Sequence, residues 1–335
     1  MTTQQPGDFY DRLTEWHYGA LWRMQGALTP TPVTAMVPYL WRHSEARALI
    51  TEAGSLVTAE AADRRVIAFN NPGTRPDQIA RATDTLWAAL QLVLPGEHAP
   101  VHRHTPAALR FVVEGRGGWT NVDGTRYTMT PGDLILTPNW AWHGHGNDSD
   151  TPMIWLDGLD LPMVHGLPAV FAEFTSGNDI PTPSKPSGTA TRAHAFPFAA
   201  MRAELDARRA DPGDPFDDII VEYRDPVTGG PIMQTLSAAM QLLRSGTHTA
   251  SHRHAHSVVY YVVSGSGVST VGGRRLAWSR GDTFAVPTWA SHNHSNTSGE
   301  DALLFSFSDA PTLDALGLAR EEAVADTMTP AEVGS

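Results

Sequence analysis

The sequence predicts an all-β chain made of two antiparallel, jelly-roll-like β-barrels in tandem, with a helical N-terminal extension and a C-terminal helix. Three observations carry that prediction. The first is an internal repeat: Leu90-Gln91-Leu92 recurs as Met240-Gln241-Leu242, Phe111 to Gly115 as Tyr261 to Gly265, and Pro138-Asn139-Trp140-Ala141 as Pro287-Thr288-Trp289-Ala290. The second is the texture of each copy, in which short apolar or alternating runs are broken by Gly, Pro or Asp every roughly 8–12 residues, as antiparallel strands require. The third is the doubled motif His102-Arg103-His104…His143 and His252-Arg253-His254…His292.

Taken in order, residues 1–85 read as an N-terminal extension. Phe9, Leu13 and Trp16 recur at helical spacing, with Leu21 and Met24 continuing the pattern, which predicts a short amphipathic helix. Residues 86–170 form the first barrel. Residues 171–230 read as a connection, because Phe171 to Pro215 is rich in turn and breaker residues around a segment, Phe198 to Arg209, with helical potential. Residues 231–310 form the second barrel, and the Leu/Ala/Glu-rich stretch 311–335 reads as one helix with a loose end.

Composition narrows the function. A chain of 335 residues can hold two domains and bury a sizeable core. A formal charge of −12 argues against nucleic acid or an anionic membrane surface as partner. The absence of cysteine excludes disulfides, zinc–thiolate sites, iron–sulfur clusters and cysteine nucleophiles. The N-terminus lacks the charged and apolar regions of a signal peptide, and no run approaches the roughly 20 apolar residues that span a bilayer. A soluble, cytoplasmic protein is expected.

The histidines carry the chemistry. Of 15, five lie in 98–145 and six in 248–294, too clustered for scattered surface residues. Side chains two apart on a strand share a face, so each His-x-His can present two imidazoles to one metal, with a third arriving from a later strand. The predicted ligands are His102, His104 and His143, with a possible second site at His252, His254 and His292. Arg110 lies six residues beyond His104, and counting in twos along one strand points it into the same pocket. A guanidinium inside an apolar barrel needs an anion, either a substrate carboxylate or an internal Asp or Glu. The same count turns His145 inward as a hydrogen-bonding or acid–base group. In the second barrel it puts Tyr260 where the first has Arg110, and it turns His256 inward as a competing ligand. Trp119, Trp140, Trp142 and Trp155 read as core.

Gly-x5-His-x-His followed by Pro-Gly-Asp and a late His resembles the two-part motif of the cupin superfamily, and the chain resembles a bicupin. The first copy is similar to the gentisate 1,2-dioxygenase group, which includes salicylate and 1-hydroxy-2-naphthoate dioxygenases. The residues carrying this are Leu94 to His104, Leu109 to Gly115, Asp133 to Trp140, Trp142 to His145 and Trp155 to Asp160, with Val37 to Trp41 and Leu56 to Glu60 outside the barrel. General cupins add a glutamate four or five residues after the second His. Here Ala108 and Leu109 stand there, so three neutral ligands would leave about three positions open on the ion. That suits an anionic chelating substrate together with O2. Iron(II) is the expected cofactor, although manganese, nickel, copper and zinc satisfy the same donors.

The resemblance implies a ring-cleaving dioxygenase of an ortho-hydroxybenzoate, gentisate giving maleylpyruvate first, with salicylate or 1-hydroxy-2-naphthoate as alternatives because Trp87 stands where many gentisate enzymes would have a tyrosine. It implies substrate contacts from Arg110, His145, Gln91, Trp87 and an N-terminal arginine, Arg64 or Arg65, of which we take Arg65. Asp157 is expected to orient a ligand histidine or His145. Gln91 has an alternative scaffold role, since Gln241 repeats it. The resemblance also implies a homotetramer with the N-terminal arm as a contact. The second site is expected to be structural or weakly metallated. From other classes, a non-catalytic cupin binding protein or a cupin isomerase remains; both predict no oxygen uptake.

Overall fold

The structure is a computed structural model describing residues 6–24, 26–58, 64–175, 179–181 and 194–325. It divides into two units, residues 1–33 and 34–335. In the first, helix Pro6–Glu15 is followed by a 3-10 turn at Leu21–Arg23, so Leu21 does not continue the helix begun by Phe9 and Leu13. Within this unit the Arg23 guanidinium lies 3.8 Å over the Tyr10 ring, and Trp22 Nε1 donates to the Tyr10 hydroxyl.

The second unit contains both barrels, each made of a six-stranded and a five-stranded sheet. In the first barrel, Trp87–Val93, Met153–Leu159, Ala108–Glu114 and Leu134–Thr137 form the centre of the larger sheet; His98–His104, His143–Asn147, Gly118–Val122 and Thr125–Thr128 belong to the smaller. The second barrel repeats this with Ser237–Leu243, Ala302–Ser308, Val258–Ser264 and Thr283–Val286 facing His252–His254, His292–Ser295, Ser266–Val271 and Arg274–Ser279.

The strand period of two sorts these residues. Leu90, Leu92, Leu109, Phe111, Leu134, Leu136, Ile154 and Leu156 leave the first barrel and join Met240, Leu242, Val259, Tyr261, Phe305 and Phe307 of the second in one shared core. The larger sheets thus pack back to back, with Phe111 stacked on Phe305 at 4.2 Å. Gly158 allows the approach: a Cβ there would come 2.8 Å from Phe307 and 2.9 Å from Leu109. The alternate positions, Val93, Val112, Ile135 and Trp155, fill the first barrel itself.

The repeat reaches beyond the barrels. Tyr39–Trp41, from the predicted extension, pairs with Thr283–Val286 of the second barrel, while Arg65–Ala68 pairs with Trp87–Val93 of the first. Ala195–Phe196, from the predicted connection, pairs with Leu134–Thr137 of the first barrel, and Ile219–Glu222 pairs with Ser237–Leu243 of the second. Each pair of short strands brackets a helix, His43–Leu56 or Phe198–Arg208. The helix starts are held by the repeated turn aspartates: His43 N donates to Asp282 Oδ1 and Phe198 N to Asp133 Oδ1, both at 2.9 Å. Each preceding glycine has positive φ, +90° at Gly132 and +86° at Gly281, which tightens the turn beneath the cap. Extension and connection are therefore two copies of one element that ties each barrel to the other.

The C-terminal expectation needs correction. The helix stops after Ala310–Ala315, and Glu321–Ala323 is a strand on the edge of the second barrel; residues 326–335 lie outside the described residues.

Candidate active site

In the first barrel, His102 and His143 face each other across neighbouring strands, and His104 completes a group whose donor nitrogens lie within 4.8 Å of one another. The ring centroids are 4.1 Å (His102–His143), 4.8 Å (His104–His143) and 5.4 Å (His102–His104) apart. Each Nδ1 meets a carbonyl two residues away: His102 that of Pro100 at 2.9 Å, His104 that of Pro106 at 2.8 Å, His143 that of Ala141 at 2.9 Å. A carbonyl can only accept, so each Nδ1 carries the proton and each Nε2 carries the lone pair. His143 Nε2 is buried without a partner. Such a donor set fits a divalent transition ion. Burial, and for His102 the Arg64 charge next, pushes the pKa of His102 down to about 2 and that of His104 to about 4; His143 lies well below its ordinary value for the same first cause. All three are neutral at pH 7, as ligation requires.

The turn before the third ligand is strained. Trp140 adopts a positive φ of 62°, its N–H donates to the His104 carbonyl, and the Arg103 guanidinium lies 4.4 Å from its ring and 4.6 Å from that of Trp142. Trp289, with φ of 60°, repeats this against the His254 carbonyl and Arg253. The arginine between the ligand histidines therefore clamps the loop that delivers the third one. Trp155 is core, and Trp119 lies under Arg126.

Arg110 does reach the pocket, but not by the path counted along one strand. The chain leaves the His98–His104 strand at Thr105 and enters the opposite sheet at Ala108. Arg110 is 4% exposed, donates through Nη1 to Thr137 Oγ1, and lies 3.4 Å from Asp157 Oδ1 through Nε. Asp157 also accepts from Trp155 Nε1 at 3.1 Å. It therefore serves the arginine; none of its described contacts is to a histidine. Burial weakens both charges, lowering Arg110 to about 10 and raising Asp157 to about 6 against their mutual attraction. Arg110 remains a cation at neutral pH.

The other predicted contacts divide. His145 is buried beside the triad, its ring 5.6 Å from His143; Nδ1 meets Thr120 Oγ1 at 2.8 Å and Nε2 has no partner. Gln91 faces inward with Val93, and its buried Nε2 has no partner, whereas Gln241 Nε2 donates to the Asp217 carbonyl and carboxylate. The repeated glutamines thus differ in what holds them. Trp87 opens the same strand on the same inward face, half-buried. Arg65 does not join: opposite outward-facing Leu92, it pairs with Glu97 and the Val57 carbonyl. Arg64 does, with Nη1 against His102 Nε2. Arg65 opens the Arg65–Ala68 strand, whose register to Leu92 turns it outward, whereas Arg64 lies just before that strand. Phe174 is a residue the sequence did not point to; on the strand paired with His102–His104 it stacks over His102 at 5.9 Å.

The second triad repeats the geometry, with His252–His292 centroids 4.2 Å apart and all donor nitrogens within 4.8 Å. His254 and His292 meet carbonyls through Nδ1, while His252 Nδ1 has no partner. His256 lies flat on His254, centroids 3.5 Å apart, and stands outside the three-nitrogen group. Tyr260 stacks on Phe284 where the first barrel has its arginine. Burial and the Asp214 and Glu321 carboxylates push Asp217, on the wall of this site, up to about 7.

Comparison with known proteins decides the family. The cupin domain model matches residues 89–159 and 239–308. Gentisate 1,2-dioxygenase 1 of Aquipseudomonas alcaligenes is 39% identical over 95% of this chain and 96% of its own length. The chain belongs to the gentisate 1,2-dioxygenase family of bicupins. Within that ring-cleaving dioxygenase family it is also 39% identical to a 5-aminosalicylate 1,2-dioxygenase from Comamonas, over 88% of this chain and 83% of the relative. A crystal structure of the salicylate 1,2-dioxygenase from Pseudoaminobacter salicylatoxidans with gentisate superposes with a TM-score of 0.85 at 32% identity, covering 97% of this bicupin and 96% of that chain. No helix among the described residues is long and apolar enough to cross a membrane.

Proposed function

We propose that the first barrel is an iron(II)-dependent dioxygenase site that cleaves an ortho-hydroxybenzoate between its carboxylate- and hydroxyl-bearing carbons, with gentisate and O2 giving maleylpyruvate. The observation that carries this reading is a neutral three-histidine cluster next to a buried arginine, with no carboxylate in the donor group. Iron(II) held on His102, His104 and His143 would supply open positions for a chelating acid and for O2, and a path for electrons between them.

The side chains around the cluster do the rest. Arg110, steadied by Asp157 and Thr137, offers a bidentate fork to the substrate carboxylate. Arg64 donates to the same His102 lone pair that a metal takes, so metal loading would release its guanidinium toward an incoming anion. His145, neutral and with a free Nε2, can take the proton of a substrate hydroxyl. The Gln91 amide supplies a hydrogen bond, and Trp87 a flat wall for the ring. Phe174 screens the His102 side from water.

The test is oxygen consumption and product analysis by apoprotein reconstituted with Fe(II) and offered gentisate, salicylate and 1-hydroxy-2-naphthoate. Uptake stoichiometric with a ring-opened acid from gentisate is expected. No uptake with any of the three would overturn the reading. Assembly as a cytoplasmic homotetramer through the N-terminal arm belongs to the same proposal. It is supported by the exposed Trp16, Tyr18, Trp22 and Leu28. Sedimentation of the protein with and without residues 1–33 tests it, the shortened chain being expected to dissociate.

A further inference from the structure

His252 and His254 of the second triad line a cavity of about 250 Å³ whose wall also includes Asp217, Glu222, Tyr260 and Glu321. Among the described residues lining it there is no arginine or lysine. The equivalent elements of the two barrels carry opposite chemistry. A short strand covers each His-Arg-His segment, and a Glu on it pairs with the central arginine, Glu173 with Arg103 and Glu322 with Arg253. Opposite the second ligand histidine, however, the first barrel's strand has Ala172 and the second barrel's has Glu321. Opposite the first ligand histidine they have Phe174 and Ala323. The chain's C-terminal strand thus brings a carboxylate to the second cavity where the first barrel has an apolar screen. Asp217, which holds Gln241, adds another, and Tyr260 replaces the Arg110 cation.

We propose that the second cavity is a divalent-cation site with an anionic mouth: His252, His254 and His292 hold the ion, Asp217 and Glu321 draw it in, and aromatic acids are excluded. The donor set is built for this. His292 Nε2 is buried without a partner, and the Nδ1 atoms of His254 and His292 are committed to carbonyls, which leaves their Nε2 lone pairs for an ion. Carboxylates on the wall raise the local cation concentration and repel a hydroxybenzoate anion. The proposal stands apart from the reaction assigned to the first barrel, since it concerns what the second barrel binds.

The experiment uses the full chain stripped by chelator and titrated with Co(II), read by bound metal after dialysis and by the visible ligand-field bands. Two equivalents are expected for the wild type and one for either H102A/H104A or H252A/H254A. In the H102A/H104A background, D217N/E321Q should weaken Co(II) binding about tenfold. Calorimetry with gentisate should show no binding to Co(II)-loaded H102A/H104A. A single equivalent in the wild type, Co(II) affinity unmoved by D217N/E321Q, or gentisate binding to the second barrel would each overturn the proposal. Should H252A/H254A fail to fold, the D217N/E321Q titration still decides. Failure of the dioxygenase reading would show in oxygen uptake and leave the metal stoichiometry untouched.

Discussion

Both barrels bring three imidazoles to one point with nearly the same ring separations, yet they surround that point with opposite charge. The first has Arg64 and Arg110 beside the buried Asp157; the second has Tyr260 with Asp217, Glu222 and Glu321. The repeat carries over the arrangement of the three histidines, the clamp of arginine on tryptophan and the strained turn before the third histidine. The surrounding charge is not carried over, and on the proposals above an anionic chelate would be attracted to one pocket and repelled by the other. A ligand motif identifies where an ion fits, and the residues around it decide which chemistry follows.

The comparison breaks most visibly at the ligands. Replacing His102 and His104 by Ala should cut aromatic-acid turnover at least about a thousandfold, while the second barrel keeps its metal; metal analysis beside an oxygen electrode checks both. Next comes the cation. Arg110→Ala should raise KM for gentisate about 100- to 1,000-fold with first-barrel metal unchanged, and Arg110→Lys, a point charge without the fork, should fall between. Loss of metal in Arg110→Ala would mean that the arginine holds the barrel together instead.

A stability effect follows from the buried pair. Because burial raises the Asp157 pKa to about 6, above the roughly 3.9 of an unfolded chain, the native state binds the extra proton between those values. Its contribution is most favourable below about pH 4, declines as pH rises to about 6, and is flat above. Asp157→Asn lacks this slope, so between pH 4 and 6 its stability relative to wild type should improve by up to about 3 kcal/mol. Denaturant unfolding across that range measures it, and parallel curves would refute the assignment. The smallest effect is expected at the wall: Trp87→Tyr should change the ratio of kcat/KM for gentisate over salicylate by about tenfold.

Much of this was legible in the sequence, for definable reasons. His-x-His uses the period of two, and its recurrence exposed both triads and both barrels. Arg110 was placed in the pocket by counting in twos along one strand, a count that does not hold because the chain crosses between sheets at Thr105 to Ala107; the residue reaches the pocket from the opposite sheet. Asp157 could be placed in the pocket but not matched to a partner, because its link to Arg110 is a cross-strand register. Arg64 and Arg65 are neighbours whose fates part because Arg65 opens the Arg65–Ala68 strand opposite Leu92 while Arg64 lies just before it, a register the sequence does not show. Tyr39–Trp41, Ala195–Phe196 and Glu321–Ala323 are too short to show periodicity, and their partners lie tens to hundreds of residues away. The one local signal for the exchanged elements was the repeated turn aspartate, Asp133 and Asp282, which caps a helix from a distant segment.

On the reading proposed above, oxygen chemistry belongs to the first barrel alone. Oxygen uptake with gentisate by H252A/H254A, reconstituted with Fe(II) and normalised to bound iron, tests it most directly. A rate per iron within about threefold of wild type is expected. A fall of more than about a hundredfold, with the first-barrel iron still in place, would contradict it.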